Sequence, residues 1–284
     1  MLSTRPARRD PIVEIRVDSA PVYVYTGTRA FDRARPSIVF VHGAANDHSV
    51  WMLQSRYFAH HGNNTLAVDL PGHGRSGGEA LTSVEAIADW LAALLDALGV
   101  ERAALVGHSM GSLGALAAAA RHKTRMRALA LLAPGVPMPV NDALLEAARA
   151  NDHAAYELLN GWSFSAASQI GGNRQPGGWL SGSGLRLMER SRPGVLYADL
   201  NACHRYAGGL AAAAALECPT LTIFGQRDLL VPPKNAGPLL AAIADRRTTT
   251  IAECGHSMMA EAPDAVLDAL RDFLGRPATP HPAT

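Results

Sequence analysis

The chain reads as an α/β protein, with a mostly parallel sheet of about eight strands flanked by helices and a largely helical insertion near its middle. Three observations predict it. Short aliphatic or β-branched runs alternate with helical stretches along most of the sequence. The runs before the polar loops carry apolar side chains without strict alternation, as strands covered on both faces do. The alternation lapses once, between Ala133 and Thr220, where no strand-rich pattern is found.

The elements follow in order. Ile12 to Val17 and Val22 to Tyr25 alternate in strand fashion and predict an antiparallel edge hairpin around Asp18-Ser19-Ala20. Strands are then expected at Ile38–Val41, Leu66–Asp69, Ala103–Val106, Ala128–Leu132, Thr220–Phe224 and Thr248–Ile251. The clearest helix spans Val84 to Leu98, opened by Thr82 or Ser83 and closed by Gly99. Leu113 to Ala120, rich in alanine and leucine, is a second. Pro263 to Leu274 is the last, closed by Gly275. Inside the insertion, Asn141 to Leu159 and Ser191 to Tyr206 look helical, and Gly171 to Gly184 reads as an irregular, mobile stretch of glycine and serine. The expected organisation is a core of residues 1–135 and 211–275, an insertion of 136–210, and a proline-bearing tail of 276–284.

Chemistry enters at strand ends. Gly107-His108-Ser109-Met110-Gly111 directly follows the apolar run Ala103-Ala104-Leu105-Val106 and precedes a helix. Gly-x-Ser-x-Gly in that context is a nucleophile elbow, a turn so sharp that small residues must flank the serine. A serine hydroxyl needs a base to take its proton and an acid to orient that base. Asp228 lies just past Thr220–Phe224, and His256 just past Thr248–Ile251. All three candidates therefore sit beyond the carboxyl ends of predicted strands, the edge at which open parallel sheets bind ligands. Should Asp228 not serve His256, Asp199 is the substitute, although it falls in the insertion.

On these residues the chain resembles the α/β-hydrolase fold family from about Ile12 to Phe273, and Ser, Asp, His is the family's chain order. Ile38-Val39-Phe40-Val41-His42-Gly43 resembles its third strand and His-Gly turn, and Leu66 to Ser76 its fourth strand and the loop beyond. The resemblance implies an oxyanion hole made by the backbone N–H groups of Ala44 and Met110. It also implies that the insertion caps the serine. Asp69, Arg75 and Glu261 are read as architectural, and His42 and His108 as scaffold or pocket-wall histidines, since one base suffices. Trp162, Phe164 and Trp179 are the aromatic candidates for the pocket wall.

Composition narrows the class. The chain of 284 residues carries a formal net charge of +1, which points to neither nucleic acid nor an anionic membrane. Its three cysteines lack metal-ligand spacing and suit a reducing, cytoplasmic setting. No metal or cofactor is expected, and the expected partner is a small-molecule substrate; oligomeric state is left open. The insertion holds six basic and six acidic residues, so a neutral substrate is expected beneath it. Family members that displace directly on carbon use aspartate where Ser109 stands. Its carbon–carbon bond hydrolases usually carry tryptophan after the histidine, where this chain has Ser257. The resemblance thus implies hydrolysis of a small to medium, uncharged carboxylic ester, thioester or lactone through an acyl-enzyme. A C–C bond hydrolase or lyase, and a ligand-binding receptor with residual turnover, are the alternatives.

Overall fold

Why the strands stack as they do follows from their apolar faces. In the computed structural model, which describes residues 15–172 and 178–275, the strands are β1 (Ile15–Val17), β2 (Ala20–Val22), β3 (Val24–Tyr25), β4 (Ser37–Val41), β5 (Asn64–Val68), β6 (Ala103–His108), β7 (Met126–Leu132), β8 (Thr220–Gly225) and β9 (Arg246–Ile251). Seven of them form one sheet in the order β3-β5-β4-β6-β7-β8-β9. Every neighbouring pair is parallel except β3 with β5. All residues of β4, β5, β6 and β8 are buried, which is why their sequences run apolar on both faces.

The expected mostly parallel sheet of about eight strands is found, with seven among the described residues. β1 and β2 pair only with each other, as a separate two-stranded sheet. The strand expected at Val22 to Tyr25 is broken at Tyr23. Its N–H bonds the Ser76 hydroxyl at 2.9 Å instead of a ladder partner. Val22 then pairs back to Ile15, and Val24 pairs onward to Val68. Ile12 to Glu14 and the tail of 276–284 lie outside the described residues.

Helices α1 (Met52–His60), α2 (Val84–Leu98) and α3 (Met110–Arg121) precede the insertion. Ser83 is the cap of α2, its hydroxyl accepting from Ala86 N–H, and Gly99 ends that helix at φ 65°. Between β7 and β8 come α4 (Asp142–Arg149), α5 (His153–Ser163), α6 (Ala166–Gln169), α7 (Leu180–Met188), α8 (Val195–Arg205) and α9 (Gly209–Ala214). α10 (Gly237–Ala242), α11 (Met258–Glu261) and α12 (Pro263–Leu274) complete the chain. One apolar layer, including Leu91, Leu94 and Leu116, packs α2 and α3 against one face of the sheet. A second, including Phe40, Phe58 and Val266, packs α1 and α12 against the other. Leu144, Leu159, Leu196 and Leu200 bind α4, α5 and α8 into a third cluster that also takes in Ala45 of the core.

Two expectations for the insertion are corrected. The single helix foreseen over Asn141 to Leu159 is two, because Asn151 turns at φ 54° and Asp152 recaps the chain by accepting from Ala154 N–H. The stretch Gly171 to Gly184 is not irregular throughout, since Leu180–Met188 is helical; residues 173–177 lie outside the described residues. Two of its glycines, Gly182 and Gly184, meet neighbours at close range: a Cβ on Gly182 would lie 2.2 Å from the Trp179 ring.

The turn from β6 to α3 is tighter still. A Cβ on Gly111 would stand 2.4 Å from the His42 carbonyl oxygen and 2.5 Å from that of Val41, backbone atoms of the end of β4 and the turn after it. Gly111→Ala should therefore destabilise the fold by at least about 2 kcal/mol. Urea unfolding would show it as a lowered midpoint with the slope unchanged.

Candidate active site

Ser109 follows the last residue of β6 at φ 53° and ψ −120°, a strained position for a non-glycine residue. The turn is held by Ser109 N–H donating to Leu132 O at 2.9 Å, and by Ser112 N–H and its hydroxyl donating to Ser109 O at 2.8 and 2.6 Å. Met110 is the first residue of α3, so its N–H has no acceptor within the helix and lies at the positive end of the helix dipole.

Asp228 is 3% exposed in the loop after β8, and its two oxygens are divided between tasks. Oδ1 accepts from Leu230 N–H at 2.9 Å and Val231 N–H at 2.8 Å, which fixes the carboxylate to its own turn. Oδ2 lies 2.8 Å from His256 Nδ1. A carboxylate only accepts, so Nδ1 carries the proton and Nε2 is left with its lone pair in the neutral ring. The His256 carbonyl accepts from His108 Nε2 at 3.0 Å and from Met258 N–H at 2.9 Å.

Ser109, His256 and Ala44 line one cavity of about 390 Å³ beneath the insertion. Its other walls include Met138, Leu144, Leu159, Trp162, Met188 and Leu230. No Lys, Arg, Asp or Glu is among the described residues that line it. A second cavity of about 610 Å³ adjoins it across His108, Asn46, Met188 and Ser257.

The remaining candidates divide. Trp162 and His108 line the first cavity. Phe164 and Trp179 do not; they line the second. Phe164 ends α5 and packs on Gly184, while Trp179 caps α7 and is 70% exposed. His42 lines neither, because both ring nitrogens serve backbone: Nδ1 donates to Gly43 O at 2.8 Å and Nε2 accepts from Leu70 N–H at 3.1 Å. Burial, and then the nearby His73, push the His42 pKa down to about 4. Burial and the adjoining His256 hold His108 well below the ordinary histidine range. Both rings are neutral at physiological pH, and neither is a counter-ion or base in waiting.

Asp199 does not stand in for Asp228. Its Oδ2 accepts from Ala45 N–H at 2.9 Å and lies 2.8 Å from His73 Nε2. Glu261 ties the insertion to the histidine loop, accepting from Gly255 N–H at 3.0 Å through one oxygen and from Ser165 N–H and the Ser168 hydroxyl through the other. The apolar wall from α4, α5 and α8 went unforeseen in the sequence, where the helical spacing of its residues is the same as that of core leucines. Asp47, His48 and Asp69 bring ligand atoms within 4.8 Å of one another. Those atoms already serve the fold: Asp69 accepts from His48 and Arg75, and Asp47 from Ser49 N–H.

Ser109, at the strand-to-helix turn, and His256, paired with the buried Asp228, thus share one cavity. A sequence model of the α/β hydrolase fold matches residues 36–263, and the chain belongs to that family. It is 28% identical over 268 residues to a 2-hydroxy-6-oxononadienedioate/2-hydroxy-6-oxononatrienedioate hydrolase of Paraburkholderia phymatum, covering 85% of this chain and 88% of the relative. It is 30% identical over 220 residues to a 2-hydroxymuconate semialdehyde hydrolase of a Pseudomonas species, covering 74% and 75%. A pimeloyl-(acyl-carrier protein) methyl ester esterase of Neisseria meningitidis is 27% identical over 216 residues, covering 73% and 67%. Among solved structures, the enol-lactonase of Burkholderia xenovorans has the same fold, with a TM-score of 0.80 at 23% identity over 92% of this chain and 98% of that one. No described helix is long and apolar enough to cross a membrane.

The depressed His42 pKa has a consequence for stability. Between the ordinary value of 6.5 and about 4, the unfolded chain takes up a proton that the folded protein refuses. The unfolded state binds more protons there, so stability falls as pH falls. His42 alone should contribute a loss of about 2–3 kcal/mol between pH 7 and pH 4.5. Urea unfolding of wild type and His42→Gln at the two pH values measures it as the difference between their pH slopes.

Proposed function

We propose that the protein is a serine carboxylic-ester hydrolase acting on an uncharged acyl group of small to medium size, with lactones and thioesters as variants of the same chemistry. Ser109 Oγ attacks the carbonyl carbon while His256 Nε2 takes its proton. Asp228 holds the imidazole in the tautomer with Nδ1 protonated and stabilises the cation that forms. The N–H groups of Ala44 and Met110 receive the oxyanion. His256 returns the proton to the leaving alkoxide, and water, deprotonated by His256, then displaces Ser109 and releases the acid. Water is the only co-reactant. Residues 136–210 act as the cap that shields this site, on a core of 1–135 and 211–275.

The observation that carries the reading is the wall of the cavity: apolar side chains, a few uncharged polar ones and the neutral His108 line it with Ser109 and His256, and no Lys or Arg is among the described lining residues. A buried carboxylate substrate needs a paired cation, and burying one unpaired costs several kcal/mol. The relatives named for an oxononadienedioate and a muconate semialdehyde favour carbon–carbon cleavage as the second reading. Their names denote acids, whereas the methyl ester esterase is named for an ester. The neutral wall favours the ester.

Neutral p-nitrophenyl esters of graded length should turn over, and a 2-hydroxy-6-oxodienoate should not; cleavage of the dienoate with inert esters overturns the ester assignment. Ser109→Ala should lower ester turnover by about 10⁴–10⁶-fold with the fold kept. Asp228→Asn, which leaves His256 in the wrong tautomer, should lose about 10⁴-fold in kcat. Steady-state kinetics checks both, and a near-normal rate in either variant removes that residue from the mechanism.

A further inference from the structure

We infer that Asp199 is a positioning residue for the oxyanion-binding loop, reaching it from the helical insertion rather than from the core. The inference rests on the hydrolase reading above, in which Ala44 N–H receives the oxyanion.

Two consecutive peptide planes set the direction of that N–H. The Gly43–Ala44 peptide carries it, opposite the Gly43 carbonyl. That carbonyl is held by His42 Nδ1 at 2.8 Å and by Asn46 N–H at 3.3 Å. The next plane, Ala44–Ala45, presents the Ala44 carbonyl and the Ala45 N–H. The carbonyl accepts from the Asn46 side-chain amide at 3.1 Å, and the N–H donates to Asp199 Oδ2 at 2.9 Å. Ala45 sits at φ 52°, in the left-handed region that a residue with a Cβ avoids unless its surroundings hold it there. A second group from the insertion holds it as well: the Ser191 hydroxyl donates to the Ala45 carbonyl at 3.3 Å. The insertion thus grips Ala45 by both its N–H and its carbonyl.

The carboxylate is itself fixed. Asp199 is 1% exposed and His73 3% exposed, so neither is free to swing into water. His73 Nδ1 lies 3.0 Å from Pro71 O and Nε2 2.8 Å from Asp199 Oδ2. A carbonyl and a carboxylate both only accept, so the ring donates from both nitrogens and is an imidazolium paired with the Asp199 carboxylate. The His73 pKa is raised accordingly: burial lowers it, but the charge and hydrogen bond of Asp199 outweigh burial. The same ring lies 4.8 Å from His42, and its charge helps keep His42 neutral, with Nδ1 free to donate only to Gly43 O. One chain of contacts therefore runs Ala45, Asp199, His73, His42, Gly43, and closes on the peptide that bears the Ala44 N–H.

Removing the carboxylate leaves the Ala45 N–H buried without an acceptor and the left-handed turn without its clamp. The acyl pocket is untouched, since Asp199 lines neither cavity. The loss should fall on the transition state, where the oxyanion forms, and not on substrate binding. Asp199→Ala should lower kcat for a small neutral ester by about 10–100-fold, less than the full loss of one oxyanion donor. KM should stay within about threefold, and affinity for an alkyl boronic acid, whose adduct with Ser109 is tetrahedral, should fall in step with kcat. Asp199→Asn, with one acceptor oxygen for two donors, should fall between wild type and Asp199→Ala by the same measures. Unchanged kcat and boronate affinity in Asp199→Ala, or a raised KM at unchanged kcat, overturns the inference. If Asp199→Ala does not fold, Asp199→Asn decides by the same two readouts. Ser109→Ala run alongside separates the failures. Turnover that survives without Ser109 sinks the hydrolase reading itself, whereas turnover that needs Ser109 but ignores Asp199 sinks only the positioning role.

Discussion

The structure depends on one constraint: the central strand β6 must become helix α3 across a single residue. The turn is possible only because the chain has no Cβ where it passes itself. A Cβ on Gly107 would meet the Gly111 carbonyl oxygen at 2.2 Å, and one on Gly111 would meet the carbonyls of β4 and its following turn. Ser109 then takes a positive φ, at a local cost of about 1–3 kcal/mol. The fully buried side chains of β6 and α3, Leu105 and Leu113 among them, offset that strain. In return the hydroxyl stands beyond the sheet edge, beside the start of a helix, where the loops after β8 and β9 also end. The strain of this turn thus falls on Ser109 itself.

Around that turn the buried histidines are sorted by what their nitrogens face. His256 has a carboxylate at one nitrogen and the cavity on its other side. His42 has a carbonyl at one nitrogen and an N–H at the other, so it is satisfied only when neutral. His73 has acceptors at both and is satisfied only when charged. His108 donates to the His256 carbonyl, while its Nδ1 is buried with no partner among the described residues. Burial weighs against a charge on His42, His73 and His108, but hydrogen-bond demand decides where a charge is tolerated. The cation at His73 sits behind the Gly43–Ala45 loop and lines neither cavity.

Much of this was legible in the sequence because it is local. Gly107, Gly111 and the apolar run before them announce the elbow, since sharp backbone turns are written in adjacent residues. Ser83 and Gly99 mark the ends of α2 for the same reason. The less legible parts depend on distant partners. Nothing near Asp199 signals that its carboxylate meets His73 and Ala45, which lie 126 and 154 residues away. Nor does composition reveal that Gly182 and Gly184 serve close packing with Trp179, Asn160 and Phe164 inside or beside a helix, instead of loosening a loop. Glycine lowers helix propensity, and here tertiary contact overrides it. Which of the candidate aromatics reaches the Ser109 cavity was illegible on the same ground: Trp162 lines it while Phe164 and Trp179 line the adjoining one, a division set by how the helices dock.

The docking seam itself is polar and directional, and that decides what the insertion is for. Arg192 donates to the Ser76 carbonyl at 2.7 Å, Ser257 N–H to the Ser163 carbonyl at 2.8 Å, and Glu261 bridges Gly255 to Ser165 and Ser168. An apolar lid tolerates sliding, because hydrophobic contact has little angular preference. Hydrogen bonds to buried backbone do not, since a small displacement leaves each donor unsatisfied at a cost of about 1–3 kcal/mol. These bonds fall on the loop that carries His256 and the loop after β5, and Asp199 and Ser191 add two more at Ala45, beside the apolar cluster formed by α4, α5 and α8. The insertion is therefore bound most stringently at the loops around His256 and Ala45, and under the proposed function it belongs to the active-site framework as much as to its cover.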